Sequence, residues 1–140
     1  MAILKLNYNT ATFKLCFDTK ASGRIVGQRL QAPIAFFDLP EMLLKIDAVM
    51  DLQDYPRAFQ RKRKFENVSE KAVSVPYAVT AEDMMDSEVV DGSSGELATI
   101  TLQVMTRQNA TWQGSVTDGS ERLMFDSVLQ LLGFIDKLTN

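Results

Sequence analysis

The stretch Ala98–Leu138, ATITLQVMTRQNATWQGSVTDGSERLMFDSVLQLLGFIDKL, changes its hydrophobic period partway along. Ile100, Leu102 and Val104 alternate with Thr101 and Gln103, and Leu123 and Phe125 recur at the same spacing of two, which predicts strands with one buried face. From Val128 the apolar residues fall at Leu131, Leu132, Ile135 and Leu138, the single stripe of a helix lying on a sheet. Ser127, with Gln130 three residues on, has the spacing of a capping box and sets the start of that helix. The stretch therefore reads as hairpin, third strand and helix.

The same layout occurs earlier. Phe13, Leu15 and Phe17 alternate in a first strand, with a bend expected near Asn9-Thr10, and Lys20–Gly23 turns into a second strand over Arg24–Leu30. Ile34 and Phe36 mark a short third strand. Asp38 with Glu41 then caps a helix whose stripe is Leu39, Met42, Leu43, Ile46, Val49 and Met50. A displacement of 87 sets Ala11, Thr12, Leu15, Thr19, Lys20 and Gly27 on Ala98, Thr99, Leu102, Thr106, Arg107 and Gly114. The displacement becomes 89 for Phe36, Leu43, Ile46 and Asp47, which fall on Phe125, Leu132, Ile135 and Asp136.

A βββα unit of about 40 residues buries its sheet face and helix stripe poorly by itself, whereas two together share a core. The expected fold is α+β: two βββα repeats forming a mainly antiparallel sheet with two helices packed on one face. Repeat 1 spans about 3–50, an inserted connection 51–97, and repeat 2 about 98–140, all within one domain. Within the connection, strands are expected around 65–68 and 72–79, and a short helix capped by Thr80 over Ala81–Val90.

Composition narrows the chemistry. At 140 residues, 46% apolar and 24% charged, the chain has the balance of a globular domain. A net charge of −3 gives no global attraction to nucleic acid or an anionic membrane. No apolar run approaches the ~18 residues of a membrane span. The N-terminal residues lack the basic and apolar regions of a secretory signal, and a single cysteine, Cys16, forms no disulfide framework, so the expected compartment is the cytoplasm. The chain has no histidine, which excludes Ser-His-Asp and Cys-His nucleophilic sites and histidine-ligated metals. No enzyme activity and no cofactor are expected.

Candidate binding residues fall in two places. Arg57, Arg61, Lys62, Arg63 and Lys64 put five positive charges within eight residues, beside Phe59 and Phe65. Cations with interleaved aromatics can hold phosphates and stack on bases, while a solvated edge or loop needs no such partner. The acidic stretch Glu82, Asp83, Asp86, Glu88, Asp91 and Glu96 is an alternative partner within the chain, and its spacing does not fit an EF-hand loop. Trp112 with Arg107 has the composition of an interface hot spot. Against that, the displacement sets Trp112 on Ile25, a position for packing within a sheet. Asp47 and Asp136 can approach as paired carboxylates or remain solvated. The expected binding residues are Arg61, Lys62, Arg63, Lys64, Arg107 and Trp112.

Through Arg107–Gly114, with the Phe125–Ile135 pattern and Pro56–Phe65, the chain resembles a group of small uncharacterised bacterial proteins carrying an RQNATWQG string before an amphipathic helix. Asp126 stands where that pattern has a basic residue. The resemblance covers most of the chain, supports the fold unit and implies no activity. The reading is a protein-interaction or assembly module that binds a protein partner or itself as a homodimer. A nucleic-acid-associated regulator using 57–64 is the alternative, and no membrane role is expected.

Overall fold

The computed structural model describes residues 10–53, 75–78, 81–108 and 111–140. Six strands form one antiparallel sheet in the order β3-β2-β1-β4-β5-β6. They are β1 (Ala11–Phe17), β2 (Gly23–Val26), β3 (Ile34–Phe36), β4 (Ala98–Thr106), β5 (Gln113–Thr117) and β6 (Arg122–Phe125). Helix α1 (Leu39–Gln53) follows β3 and α3 (Val128–Leu138) follows β6. Between them lie a 3₁₀ turn at Ala81–Asp83 and a short helix, α2 (Ser87–Gly92). The expected βββα order thus occurs twice, around a central β1–β4 pair.

Alternation decides which face is buried. Phe13, Leu15 and Phe17 stand opposite Leu102, Ile100 and Ala98, and Leu15 also stands opposite Ile25. Directly paired residues share a face, so the apolar residues of both halves gather on one side. There they meet Met42, Ile46, Val49 and Met50 of α1 and Leu131 and Ile135 of α3, all buried. Phe17 and Phe36 pack edge to face at 5.5 Å in the first half. Both helices start as their capping boxes predict. Asp38 Oδ1 accepts from the Glu41 N–H at 2.7 Å, and Ser127 Oγ from the Gln130 N–H at 3.1 Å. Glu41 and Gln130 reach back to the N–H of Phe37 and Asp126, the residue before each cap.

Lys14 of β1 stands opposite Thr101 of β4, and these are counterparts under the displacement of 87. A local twofold axis perpendicular to the sheet therefore passes between them. The hairpins depart from the expected alignment. Phe17 pairs with Gly23, and its counterpart Val104 pairs with Gly114, so Gly114 answers Gly23 rather than Gly27. Packing agrees: a Cβ on Gly23 would lie 2.0 Å from the Cys16 carbonyl oxygen, and one on Gly114 1.9 Å from that of Gln103, the counterpart of Cys16. A Cβ on Gly27 would meet nothing closer than 3.7 Å. Likewise Val116 answers Ile25, since Leu15 pairs with Ile25 and Leu102 with Val116. Trp112 consequently does not answer Ile25. It lies in a hairpin longer than that of the first half, beyond a register shift between Val104 and Thr106.

The inserted segment packs on the first half. Tyr77 forms a bridge with Leu30, Ala78 N–H donates to the Arg29 carbonyl at 2.6 Å, and the Arg29 guanidinium donates to the Tyr77 hydroxyl at 2.6 Å. The single helix expected over 81–90 is instead the 3₁₀ turn followed by α2, whose first turn is capped by Asp86. α2 and the segment after it lie across the sheet face opposite α1. Lys14 Nζ donates to the Val90 and Asp91 carbonyls, and Arg24 Nη2 to that of Ser94 at 2.7 Å. The expected strand around 65–68, most of that at 72–79, and the chain before Thr10 lie outside the described residues.

Candidate interaction surface

Arg107 and Trp112 are brought close in sequence but turned inward, each 6% exposed. Arg107 leaves the end of β4 and crosses to α1. Its Nη1 donates to Asp47 Oδ1 at 3.1 Å and to Asp51 Oδ1 at 2.8 Å, carboxylates one helical turn apart that are about half exposed. Trp112 joins the hydrophobic core. The neighbouring residues are structural as well. The Thr111 hydroxyl accepts from the N–H of Val128 at 2.7 Å, at the start of α3. Gln113 Oε1 accepts from the Thr106 hydroxyl and the Gln108 N–H, while its Nε2 donates to the carbonyls of Gln108 and Asp126. Within Arg107–Gly114, Asn109 and Ala110 lie outside the described residues; each of the others except Trp112 and Gly114 makes a hydrogen bond across the loop, to a helix or to the strand end.

Lys20, the counterpart of Arg107, reaches Asn140, the counterpart of Asp51. Each hairpin tip thus clasps the end of the opposite half's helix. Asp47 is engaged by Arg107, whereas its counterpart Asp136 is exposed.

The basic run with Arg61, Lys62, Arg63 and Lys64 lies outside the described residues. The acidic residues Glu82, Asp83, Asp86, Glu88, Asp91 and Glu96 are exposed around α2. Among the described residues, no three Asp, Glu or Cys side chains gather as a metal-binding group, and no helix is long and apolar enough to cross a membrane. Cys16 is fully buried under the segment that follows α2. Burial pushes its thiol up from the ordinary value, partly opposed by Arg24 and Lys14, so the thiolate form is disfavoured. A cleft of about 200 Å³ lies beside Lys14, lined among others by Thr12, Gln28, Val90 and Thr101.

The two sheet edges differ between the halves. At β3, Pro33 precedes the strand and supplies no N–H, and Lys45 Nζ of α1 donates to the Ala35 carbonyl at 2.8 Å. Glu41 holds that lysine at 3.1 Å. Proline and lysine on an edge discourage pairing with another strand. At β6 the corresponding residues are Arg122 for Pro33, Met124 for Ala35 and Phe134 for Lys45. Met124 is 59% exposed, and no lysine bonds a β6 carbonyl among the described residues. Arg122 Nη2 donates to Gln103 Oε1 at 2.9 Å across the sheet face. Reading the sequence missed this edge, although the signal was present: once the helices are aligned on Ile46 and Ile135, Lys45 falls on Phe134.

Compared with known protein families, curated proteins and solved structures, the chain matches none of them.

Proposed function

We propose that this chain is a non-catalytic protein-assembly module that engages a partner by strand addition at the β6 edge, and that its halves arose by internal duplication. The observation carrying the reading is the contrast between the edges: β3 is closed by Pro33 and Lys45, while β6 presents an exposed Met124 with no such guard among the described residues. An open edge offers backbone donors and acceptors for main-chain pairing, with alternate side chains supplying specificity. Duplication is supported by the matched close contacts of Gly23 and Gly114 and the matched clasps of Lys20 and Arg107. A non-catalytic role is supported by the absence of histidine and by a lone cysteine whose thiolate is disfavoured. A free buried thiol also favours a reducing compartment, the cytoplasm.

A photo-crosslinking amino acid placed at Met124, in cells that make the protein, should yield a protein adduct. The same group at Ala35 on the guarded edge should not. Absence of an adduct at Met124, or equal yields at both positions, would sink the reading.

The second reading, nucleic-acid association, is carried by Arg57–Lys64 and the aromatics beside it in sequence. It requires salt-dependent binding in which the log–log slope falls by about 0.9 for each phosphate contact removed. Neutralising Arg61, Lys62, Arg63 and Lys64 together and titrating a labelled duplex against salt tests it; an unchanged slope rejects it.

A further inference from the structure

We infer that the occupant of the β6 edge is the β6 edge of a second copy, antiparallel and related by a twofold axis perpendicular to the sheet through Met124. The inference rests on the strand-addition reading and names its partner. The geometry required is already present at the centre of the sheet. There β1 and β4 pair antiparallel about a local axis, with Lys14 opposite its own counterpart Thr101.

Two identical strands pairing edge to edge in this way must set residues of the same face opposite each other, so the axis passes by a residue rather than between two. Centring on Leu123 would set the Arg122 cation against Met124 of the second copy. Centring on Met124 sets Arg122 against Asp126 of the second copy, and the axis repeats that pair. Arg122 and Asp126 are both exposed, and one bond to Gln103 leaves most of the five guanidinium donors of Arg122 available. Met124 then meets its own copy, covering the exposed thioether. Leu123, itself half-buried, stands in register with Phe125 of the second copy on the helix-bearing face, but Phe125 is buried within its own chain, so the apolar contact across the axis is that of the two Met124 side chains. Charge complementarity and apolar contact select the same register. The β3 edge cannot repeat it, because Pro33 and Phe37 stand in place of Arg122 and Asp126.

Sedimentation of the full chain over a range of concentrations should show a dimer. Met124→Lys, Arg122→Glu or Asp126→Lys should each raise the dimer Kd at least about tenfold by placing like charges across the axis. Combining Arg122→Glu with Asp126→Lys restores opposite charges and should recover most of the lost affinity. All these positions are exposed, so the variants should match the parent's thermal midpoint at concentrations where the parent is monomeric, and fall below it only as the parent dimerises. A chain that is monomeric at every concentration, a dimer indifferent to Met124→Lys, or a charge swap without recovery overturns the inference. The crosslink at Met124 separates it from the broader reading. An adduct of twice the 15.7 kDa chain supports the second copy. An adduct with a different protein overturns self-pairing and leaves strand addition standing.

Discussion

The first half of the molecule reaches its neighbour's helix with an exposed lysine, the second with a buried arginine. Lys20 touches Asn140 in solvent, whereas Arg107 is 6% exposed and grips two carboxylates of α1. The first half closes its sheet edge with Lys45, and in the second Met124 is exposed at the edge. The first half carries α2 and the inserted segment; the second carries an enlarged hairpin containing Trp112. The comparison teaches that a shared topology does not distribute its duties evenly. Contacts at the central β1–β4 seam are matched, and differences accumulate at hairpin tips and outer edges, where substitutions disturb less of the common core.

The largest expected effect tests the matched part. Gly23→Ala and Gly114→Ala each drive a Cβ into a backbone carbonyl and should each cost about 3 kcal/mol, the upper range for overpacking a rigid site. Gly27→Ala should be neutral or up to about 1 kcal/mol stabilising, since it meets only ordinary contacts and restricts the unfolded chain. Urea denaturation measures all three. If Gly27→Ala proves as costly as Gly114→Ala, the correspondence of Gly23 with Gly114 is wrong.

Next comes the contrast between the clasps. Arg107→Met should cost about 2 kcal/mol: less than breaking a fully buried pair, because Asp47 and Asp51 can still be hydrated, yet more than a surface bridge. Lys20→Met should change stability by less than about 0.5 kcal/mol, as for most exposed contacts. Equal losses would show that the two halves are held together symmetrically.

The smallest effect separates the capping boxes. Glu41 has its pKa lowered, first by the N–H of Phe37 and then by Lys45, whereas its counterpart Gln130 makes the same backbone bond without titrating. A carboxylate with a depressed folded-state pKa contributes stability that is complete above its unfolded value, near 4.5, and lost as pH falls through the lower folded value. Glu41→Gln should keep the bond to Phe37 and flatten this part of the acid limb of the thermal midpoint against pH. An unaltered limb would mean that Glu41 does not contribute to it; Asp118, whose pKa is lowered by the N–H groups of Ser120 and Glu121, remains titratable in the variant.

How much of this was legible depends on how far apart the interacting residues are. Asp38 with Glu41, and Ser127 with Gln130, act over three residues, so both helix starts can be read directly. The strand cores are equally plain, because alternation at Phe13–Phe17 and Ile100–Val104 expresses burial on one face. The hairpins were harder. Identity between Gly27 and Gly114 suggested a constant displacement, but glycine is required where a Cβ would strike a neighbouring strand, and that neighbour is known only once the register is known. Arg107 beside Trp112 has the composition of an exposed hot spot. The aspartates that turn Arg107 inward lie sixty and fifty-six residues earlier in the chain.

By itself, the sequence determined the α+β class, the order of strands and helices, the helix caps and the apolar faces, because each is written in contacts between near neighbours. Tertiary structure alone decided that β1 pairs with β4, that Gly23 answers Gly114, that Arg107 is turned onto α1, and that Lys45 bonds the β3 edge while Met124 of β6 is exposed. These features depend on which groups meet across the sheet and at its rim. Local periodicity makes an edge strand and a central strand look alike; only the neighbours, present or missing, distinguish them.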